Sequence, residues 1–336
     1  MRILFLTSSV EDYLADGLLL GFRSIFGTNV VDYPKAEILY KNCSTATSKQ
    51  VRGNGFTLYS GILEEIDVDR FKIVKKVQKD YYDLIIFSDI WRQYGFFLML
   101  RPWLSPKKAI ILDGADTPQV YPYAGLWFRY PYSWFLPRAH RKFLYFKREW
   151  TRDSQFNLWH RFLPIGLSSF LPSHANLRRI NFSIPEEKIL KNLPQKRKKF
   201  AIHCVDSEVA EKIPGCKTSY AFKDEAAYYG DLRASRFAVT TKRAGWDCLR
   251  HYEIAANGCI PCFRDLDKKP ENCAPHGLNS SNCIIYHSAE DLFNQVQNIS
   301  LDQEYNIRKQ ALRWASEHTC DSVAQSILRQ INLPSS

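Results

Sequence analysis

The sequence predicts an α/β protein of two lobes, each a parallel sheet wrapped by helices, with a ligand cleft between them. Three observations carry that prediction. Short apolar runs bounded by turn residues alternate with longer amphipathic stretches along most of the chain. A polar, basic stretch over 178–199, containing Pro185 and Pro194, interrupts the alternation and reads as a linker. At 336 residues the chain is long enough for two cores of ordinary size. Open parallel sheets bind ligands outside the carboxyl ends of their strands, so two such lobes place a site in the crevice between them.

In the first half, strands are expected at 3–7, 29–33, 84–88 and 109–112, each short, apolar and followed by polar or turn residues. Helices are expected at 12–26, 67–79 and 91–100. Asp12 has N-cap chemistry, and Leu14, Leu18 and Phe22 fall on one face of the helix behind it. From 118 to 150 aromatics and prolines interleave with Arg and Lys, as in Tyr121-Pro-Tyr and Trp134-Phe-Leu-Pro-Arg, a pattern of neither helix nor strand. Extended apolar chain returns at 163–165. Beyond the linker, strands are expected at 200–205, 237–240, 259–263 and 283–286. Helices are expected at 224–234, 246–257, 290–298, 302–317 and 320–330, the last packing across the lobes. The division is therefore 1–180, with an aromatic and basic insertion at 118–150, and 181–336.

Composition narrows the class. Hydrophobic residues at 45% and charged residues at 24% fit an ordinary globular protein. No apolar run approaches the ~20 residues of a spanning helix. The opening MRILFLTSSV runs straight into Glu11 and Asp12, so it reads as a first core strand rather than a signal peptide. Nine scattered cysteines, an odd number, argue against a complete disulfide framework and for a cytoplasmic setting. Cys204, Cys248, Cys259 and Cys262 read as packed thiols. Cys259-Ile-Pro-Cys262 has the spacing of half a zinc site or a redox pair, but it falls in a strand. Cys273 and Cys283 are too far apart to complete it, and no metal is expected there or at His276 and His287. A net charge of +11 implies an acidic partner: nucleotide phosphates, an anionic membrane surface or nucleic acid.

The segment 235–262 reads as a buried strand, a basic Gly-containing turn, a charged helix, a Gly stop and a second buried strand. Lys242 and Arg243 ahead of a helix N-terminus form an anion site, because free N–H groups and the helix dipole point there. Glu253 lies two turns along, within reach of a sugar hydroxyl beyond a bound phosphate. Within this segment, Arg250-His-Tyr-Glu253-Ile-Ala-Ala-Asn-Gly258-Cys-Ile-Pro261, preceded by Ser235-Arg-Phe, resembles the donor-site segment of GT-B-fold glycosyltransferases. The style is that of exostosin-like and family-1-like bacterial enzymes. The resemblance implies two Rossmann-like lobes and transfer of a sugar from a nucleoside-diphosphate donor to a glycan or lipid-linked acceptor.

By the same resemblance Glu253 binds the ribose. Lys242, Arg243 and Arg250, with Gly245, Trp246 and Asp247 at the helix start, hold the diphosphate without a metal. No cofactor is implied, since the nucleotide sugar is a substrate. Gly258 and Pro261 turn the chain into the next strand. Retaining members often carry a second Glu eight positions before the ribose Glu, and that position is Gly245 here. Asp247 is out of register, so the stereochemical outcome stays open. Phe146-Lys-Arg-Glu149-Trp resembles a short basic helix of related bacterial transferases.

Inverting transfer needs a base for the acceptor hydroxyl, and strand ends of the first lobe offer Glu11, Asp12, Asp89, Asp113 and Asp116. Asp12 and Asp116 are the candidates; Asp12 reads equally as an N-cap and Asp113-Gly114 as a turn. His203 reads as a core residue, and His251 as a phosphate neighbour. The 121–150 segment fits a membrane interface, single-stranded nucleic acid or a buried insertion, with the membrane preferred. The rival readings are a nucleic-acid-binding protein or a DNA-modifying glycosyltransferase using that segment with Lys196–Lys199, and a two-lobed binding protein without activity. On the rival reading of the helix, Arg250 and Glu253 are only a surface pair.

Overall fold

Four apolar residues suffice for a strand when both faces are covered, and the first sheet is built on that pattern. The computed structural model describes residues 1–8, 10–43, 58–121, 139–151, 176–219 and 221–331. Strands β1 (Ile3–Leu6), β2 (Val30–Tyr33), β3 (Leu84–Phe87), β4 (Ala109–Asp113), β5 (Leu144–Lys147) and β6 (Leu177–Arg179) pair in parallel, in the order β2-β1-β3-β4-β5-β6. Alternate side chains serve opposite faces. Ile3 and Phe5 pack with helix α1 (Tyr13–Phe26). Leu4 and Leu6 pack with α2 (Ile73–Gln78) and α3 (Ile90–Leu100).

The second sheet, in the order β10-β9-β8-β7, joins β7 (Lys198–Phe200), β8 (Ser235–Thr241), β9 (Ile260–Arg264) and β10 (Ile284–Tyr286), again all parallel. Its helices are α4 (Ser207–Ala210), α5 (Glu225–Ala234), α6 (Leu249–Ala256), α7 (Ala289–Asn298) and α8 (Leu301–Glu317). A last helix, α9 (Cys320–Gln330), returns to the first lobe and lies along α1. Gly21 makes that approach close, since a side chain there would strike the Cys320 carbonyl. Ser24 Oγ donates to Asp321 at 2.7 Å across the same seam.

Several expected elements are corrected. Helix α2 begins at Ile73 rather than 67, because Lys72 sits at φ 50, in the left-handed region where a helix cannot continue backwards. Strand β5 occupies Leu144–Lys147, where a short basic helix was expected. Its lysine is tolerated in a strand because Lys147, fully buried, pairs with fully buried Asp113 at 2.9 Å. The expected 178–199 linker is shorter, since β6 runs to Arg179 and β7 starts at Lys198. Strand β7 ends at Phe200; the Ala201 amide still donates to the Phe237 carbonyl at 2.9 Å, and the remainder of the expected 200–205 strand pairs instead through a bridge from His203 to Lys217. Helix α6 starts at Leu249, three residues later than expected. Positions 122–138 and 163–165 lie outside the described residues.

Candidate active site in the cleft between the lobes

Strands β1, β3 and β4 are neighbours, and the acids that follow them come together at one end of the first lobe. Asp12 caps α1: its Oδ1 accepts from the Leu14 and Ala15 amides at 3.0 and 3.1 Å. Burial, reinforced by the nearby Asp89 charge, pushes its carboxyl up to about 6. Asp89 caps α3 in the same way and pairs with Arg92. Asp116, half-exposed, pairs with Arg148. These acids form the first-lobe side of a cavity of about 790 Å³.

The second lobe supplies the opposite side, with Arg243, Cys248, Arg250 and Glu253. Strand β8 ends at Thr241, the turn over 242–248 crosses the cleft, and α6 carries Arg250 and Glu253 one helical turn apart. The N-cap of α6 is Cys248, in extended conformation and without a side-chain cap. Glu253 accepts a hydrogen bond from the Tyr229 hydroxyl at 3.2 Å, and burial raises its carboxyl to about 7. Phe222 and Tyr228, with ring centroids 5.6 Å apart, wall the same end.

Seven of the nine residues singled out from the sequence line this one cavity: Asp12, Asp116, Arg243, Gly245, Asp247, Arg250 and Glu253. Lys242 and Trp246 do not; the Lys242 ammonium lies 5.0 Å over the Trp246 ring centroid. Asp247 reaches the cavity with its carboxylate already committed, to the Phe182 amide at 2.9 Å and the Tyr252 hydroxyl at 3.0 Å. His251 is no phosphate neighbour. It is fully buried, stacked on Phe263 and bonded to Thr240 and the Trp246 carbonyl, and burial drives its pKa down to about 3. His203, expected in the core, lines the cavity, with Nδ1 2.9 Å from the Ser219 carbonyl and its pKa lowered by burial to about 4.

Sequence reasoning missed Arg148 and Glu149. Arg148 is 1% exposed and uses all five of its N–H donors. They go to the Gly114 carbonyl at 3.2 and 2.9 Å, the Asp247 carbonyl at 3.0 Å, Glu149 at 3.1 Å, and Asp116. Glu149, 3% exposed, accepts from the Trp246 and Asp247 amides at 2.7 and 3.2 Å. Opposite charges in Asp113-Gly-Ala-Asp116 and Lys147-Arg-Glu149 were the available signal. Reading it required the register of β4 and β5, which sets Asp113 against Lys147.

Among the described residues, the group able to offer three ligand atoms to a cation is Asp265, Asp267 and His287; the cysteines and His276 do not join it. Also among them, no helix is long and apolar enough to cross a membrane.

No protein-family profile and no curated protein matches the chain by sequence. Solved structures match by shape over nearly the whole chain. HepE of Anabaena in complex with UDP-glucose aligns with a TM-score of 0.54 at 11% identity, covering 99% of both chains. A glycosyltransferase from Rickettsia africae aligns at 0.55 and 9% identity, covering 98% of this chain and 97% of its own. An alpha-glucosyltransferase in complex with UDP and a 13-mer DNA containing an HMU base aligns at 0.53 and 13% identity, over 98% of this chain and 99% of its own. With two parallel α/β lobes and a last helix that returns to the first, the chain has the fold of the GT-B glycosyltransferases.

Proposed function

We propose that the chain is a glycosyltransferase that holds a nucleoside-diphosphate sugar in the cleft and passes the sugar to an acceptor hydroxyl. The observation that carries this reading is one cavity with Arg243, Arg250 and Glu253 on one side and Asp12 and Asp116 on the other. The two guanidinium groups and the first turn of α6 neutralise the diphosphate as it leaves. Glu253 accepts hydrogen bonds from the ribose hydroxyls, beside the Phe222 and Tyr228 rings. With guanidinium groups in that role, the scheme assigns no step to a metal or cofactor, and the nucleotide sugar is a substrate. UDP-glucose bound to HepE supports this ligand class.

Asp12 is the base in this scheme. Its raised pKa of about 6 brings it near the range where a carboxylate takes a proton effectively. As the acceptor oxygen bonds to the sugar's anomeric carbon, its proton moves to Asp12. The bond from that carbon to the diphosphate oxygen breaks, and its electron pair leaves with the nucleotide. Asp116 is less suited, because Arg148 already pairs with it.

The acceptor is a glycan or lipid-linked glycan. Carboxylates accept from sugar hydroxyls, and Trp91 lines the cavity beside them. Among the described residues, that side of the cleft is predominantly acidic, which disfavours the polyanionic acceptor of the DNA-bound neighbour. Nine free cysteines support a reducing, cytoplasmic setting. Phe71, 80% exposed beside Lys72, Lys75 and Lys79, supports contact with an anionic membrane surface.

The experiment is a thermal-shift series with UDP, GDP, CDP and dTDP, followed by transfer assays with sugar conjugates of the binder. One nucleotide that raises the melting temperature supports the reading. No shift with any of them overturns it.

A further inference from the structure

We propose that Glu149 is a positioning residue of the donor site, a carboxylate lent by the first lobe to shape a turn of the second. Glu149 lies just past β5, yet its Oε1 accepts from the amides of Trp246 and Asp247, nearly one hundred residues further along the chain. The Glu149 carboxylate also fills the space beside Gly245. A Cβ built there would lie 2.5 Å from Glu149 Oε1 and 2.7 Å from Asp116 Oδ1. Gly245 needs no positive φ, so the neighbouring carboxylates, rather than the backbone, are what exclude a side chain.

The carboxylate is held firmly. Arg148 donates to it at 3.1 Å while its remaining N–H groups grip Gly114, Asp116 and the Asp247 carbonyl, and its guanidinium lies 4.4 Å over the Phe182 ring. The Ala274 amide of the second lobe donates to the Arg148 carbonyl at 3.0 Å, and Glu149 bridges to Cys273. Both lobes therefore meet on one dipeptide.

Two consequences follow for the donor. The turn that presents Arg243 and leads into Arg250 and Glu253 has its path set from the first lobe, so the anion site is complete only when the lobes are together. Glu149 also occupies the two amides a phosphate would otherwise take. The diphosphate is thereby directed to the side chains of Arg243 and Arg250 and to the first turn of α6.

This inference rests on the proposed donor site, and its test separates the two. Amide exchange over 245–248 in the unliganded protein reads the carboxylate's grip on the turn. UDP titration reads its effect on the donor. Glu149→Ala is expected to lose protection of the Trp246 and Asp247 amides and to weaken UDP binding by about tenfold or more, since charge-assisted bonds to two amides are lost. Gly245→Asp alone meets Glu149 and Asp116 and also weakens binding. In the Glu149→Ala background only the half-exposed Asp116 carboxylate has to swing aside for a residue-245 side chain, so Gly245→Asp supplies a local carboxylate that accepts from the amide two residues on and is expected to restore protection and part of the affinity.

Glu149→Gln, which keeps an acceptor oxygen and the shape, is expected to fall between Glu149→Ala and wild type and guards against loss of folding. Wild-type or tighter UDP affinity in a folded Glu149→Ala protein whose turn is deprotected would overturn the positioning role. So would a double variant that regains protection without affinity. If the wild type binds no UDP while its amides are protected as described, it is the donor assignment for UDP that fails, and the positioning role toward UDP falls with it.

Discussion

Helices α1 and α6 both begin at the cleft, each after a strand of its own sheet, and they finish their N-termini in opposite ways. On α1 the side chain of Asp12 accepts from the first-turn amides. On α6 the equivalent residue is Cys248, whose side chain makes no cap. A helix N-terminus carries unsatisfied N–H groups and a partial positive charge, so something must meet it. In the first lobe the chain supplies its own carboxylate, which thereby stands in the cavity with a raised pKa. In the second lobe the first turn faces the cavity between Arg243 and Glu253. One end is finished by a side chain that can act as a base; the other is suited to a ligand phosphate.

The largest effect should come from breaking the first-lobe half of this contrast. Asn caps helices about as well as Asp, so Asp12→Asn should fold normally, without a lower melting temperature. Transfer should fall by about 10²–10⁴-fold while donor binding persists, as separate binding and turnover assays would reveal. Next in size is Glu253→Gln. It keeps an oxygen for the Tyr229 hydroxyl yet loses the charge, and calorimetry should find donor affinity about 10- to 100-fold weaker.

Cys248→Asp would make the two helices alike. A side-chain cap should stabilise α6 by about 1 kcal/mol, seen in denaturant unfolding. The same variant should bind nucleoside diphosphate about two- to fivefold more weakly, because a carboxylate now competes for the turn. Lys242→Ala should change donor affinity by less than about twofold, since the ammonium rests on Trp246 outside the cavity and such an exposed contact is weak.

A separate expectation concerns stability rather than binding, namely its pH dependence. Folding raises the carboxyl of Asp12 from 3.8 to about 6 and that of Glu253 from 4.5 to about 7. The folded state holds more protons than the unfolded state within those windows, so these groups make stability fall as pH rises through them. Melting curves across the windows should flatten in Asp12→Asn and in Glu253→Gln.

Much of the contrast was legible in the sequence, because it is local. Asp12 before an apolar 3.6-residue period marks a capped helix. Arg250, Glu253 and Gly258 mark a helix, its polar face and its stop. The alternation of strands and helices follows from the same short-range chemistry, and it located most elements to within a few residues. What stayed hidden depends on contacts between distant segments. Strand β5 was missed because Lys147 and Arg148 look like surface residues until Asp113 and the Gly114 carbonyl are set beside them. The start of α6 was misplaced because Trp246 and Asp247 give their amides to Glu149, a partner no local pattern announces. His251 looked available beside Arg250, but helical geometry turns it inward onto Phe263.

The most direct test is calorimetric titration of UDP, GDP, CDP and dTDP into the wild type and into Arg250→Ala. The account predicts that at least one nucleotide binds the wild type and that Arg250→Ala weakens that binding by about tenfold or more, through loss of a charged bond to phosphate. No binding by any of the four, or equal affinity in the two proteins, would contradict it.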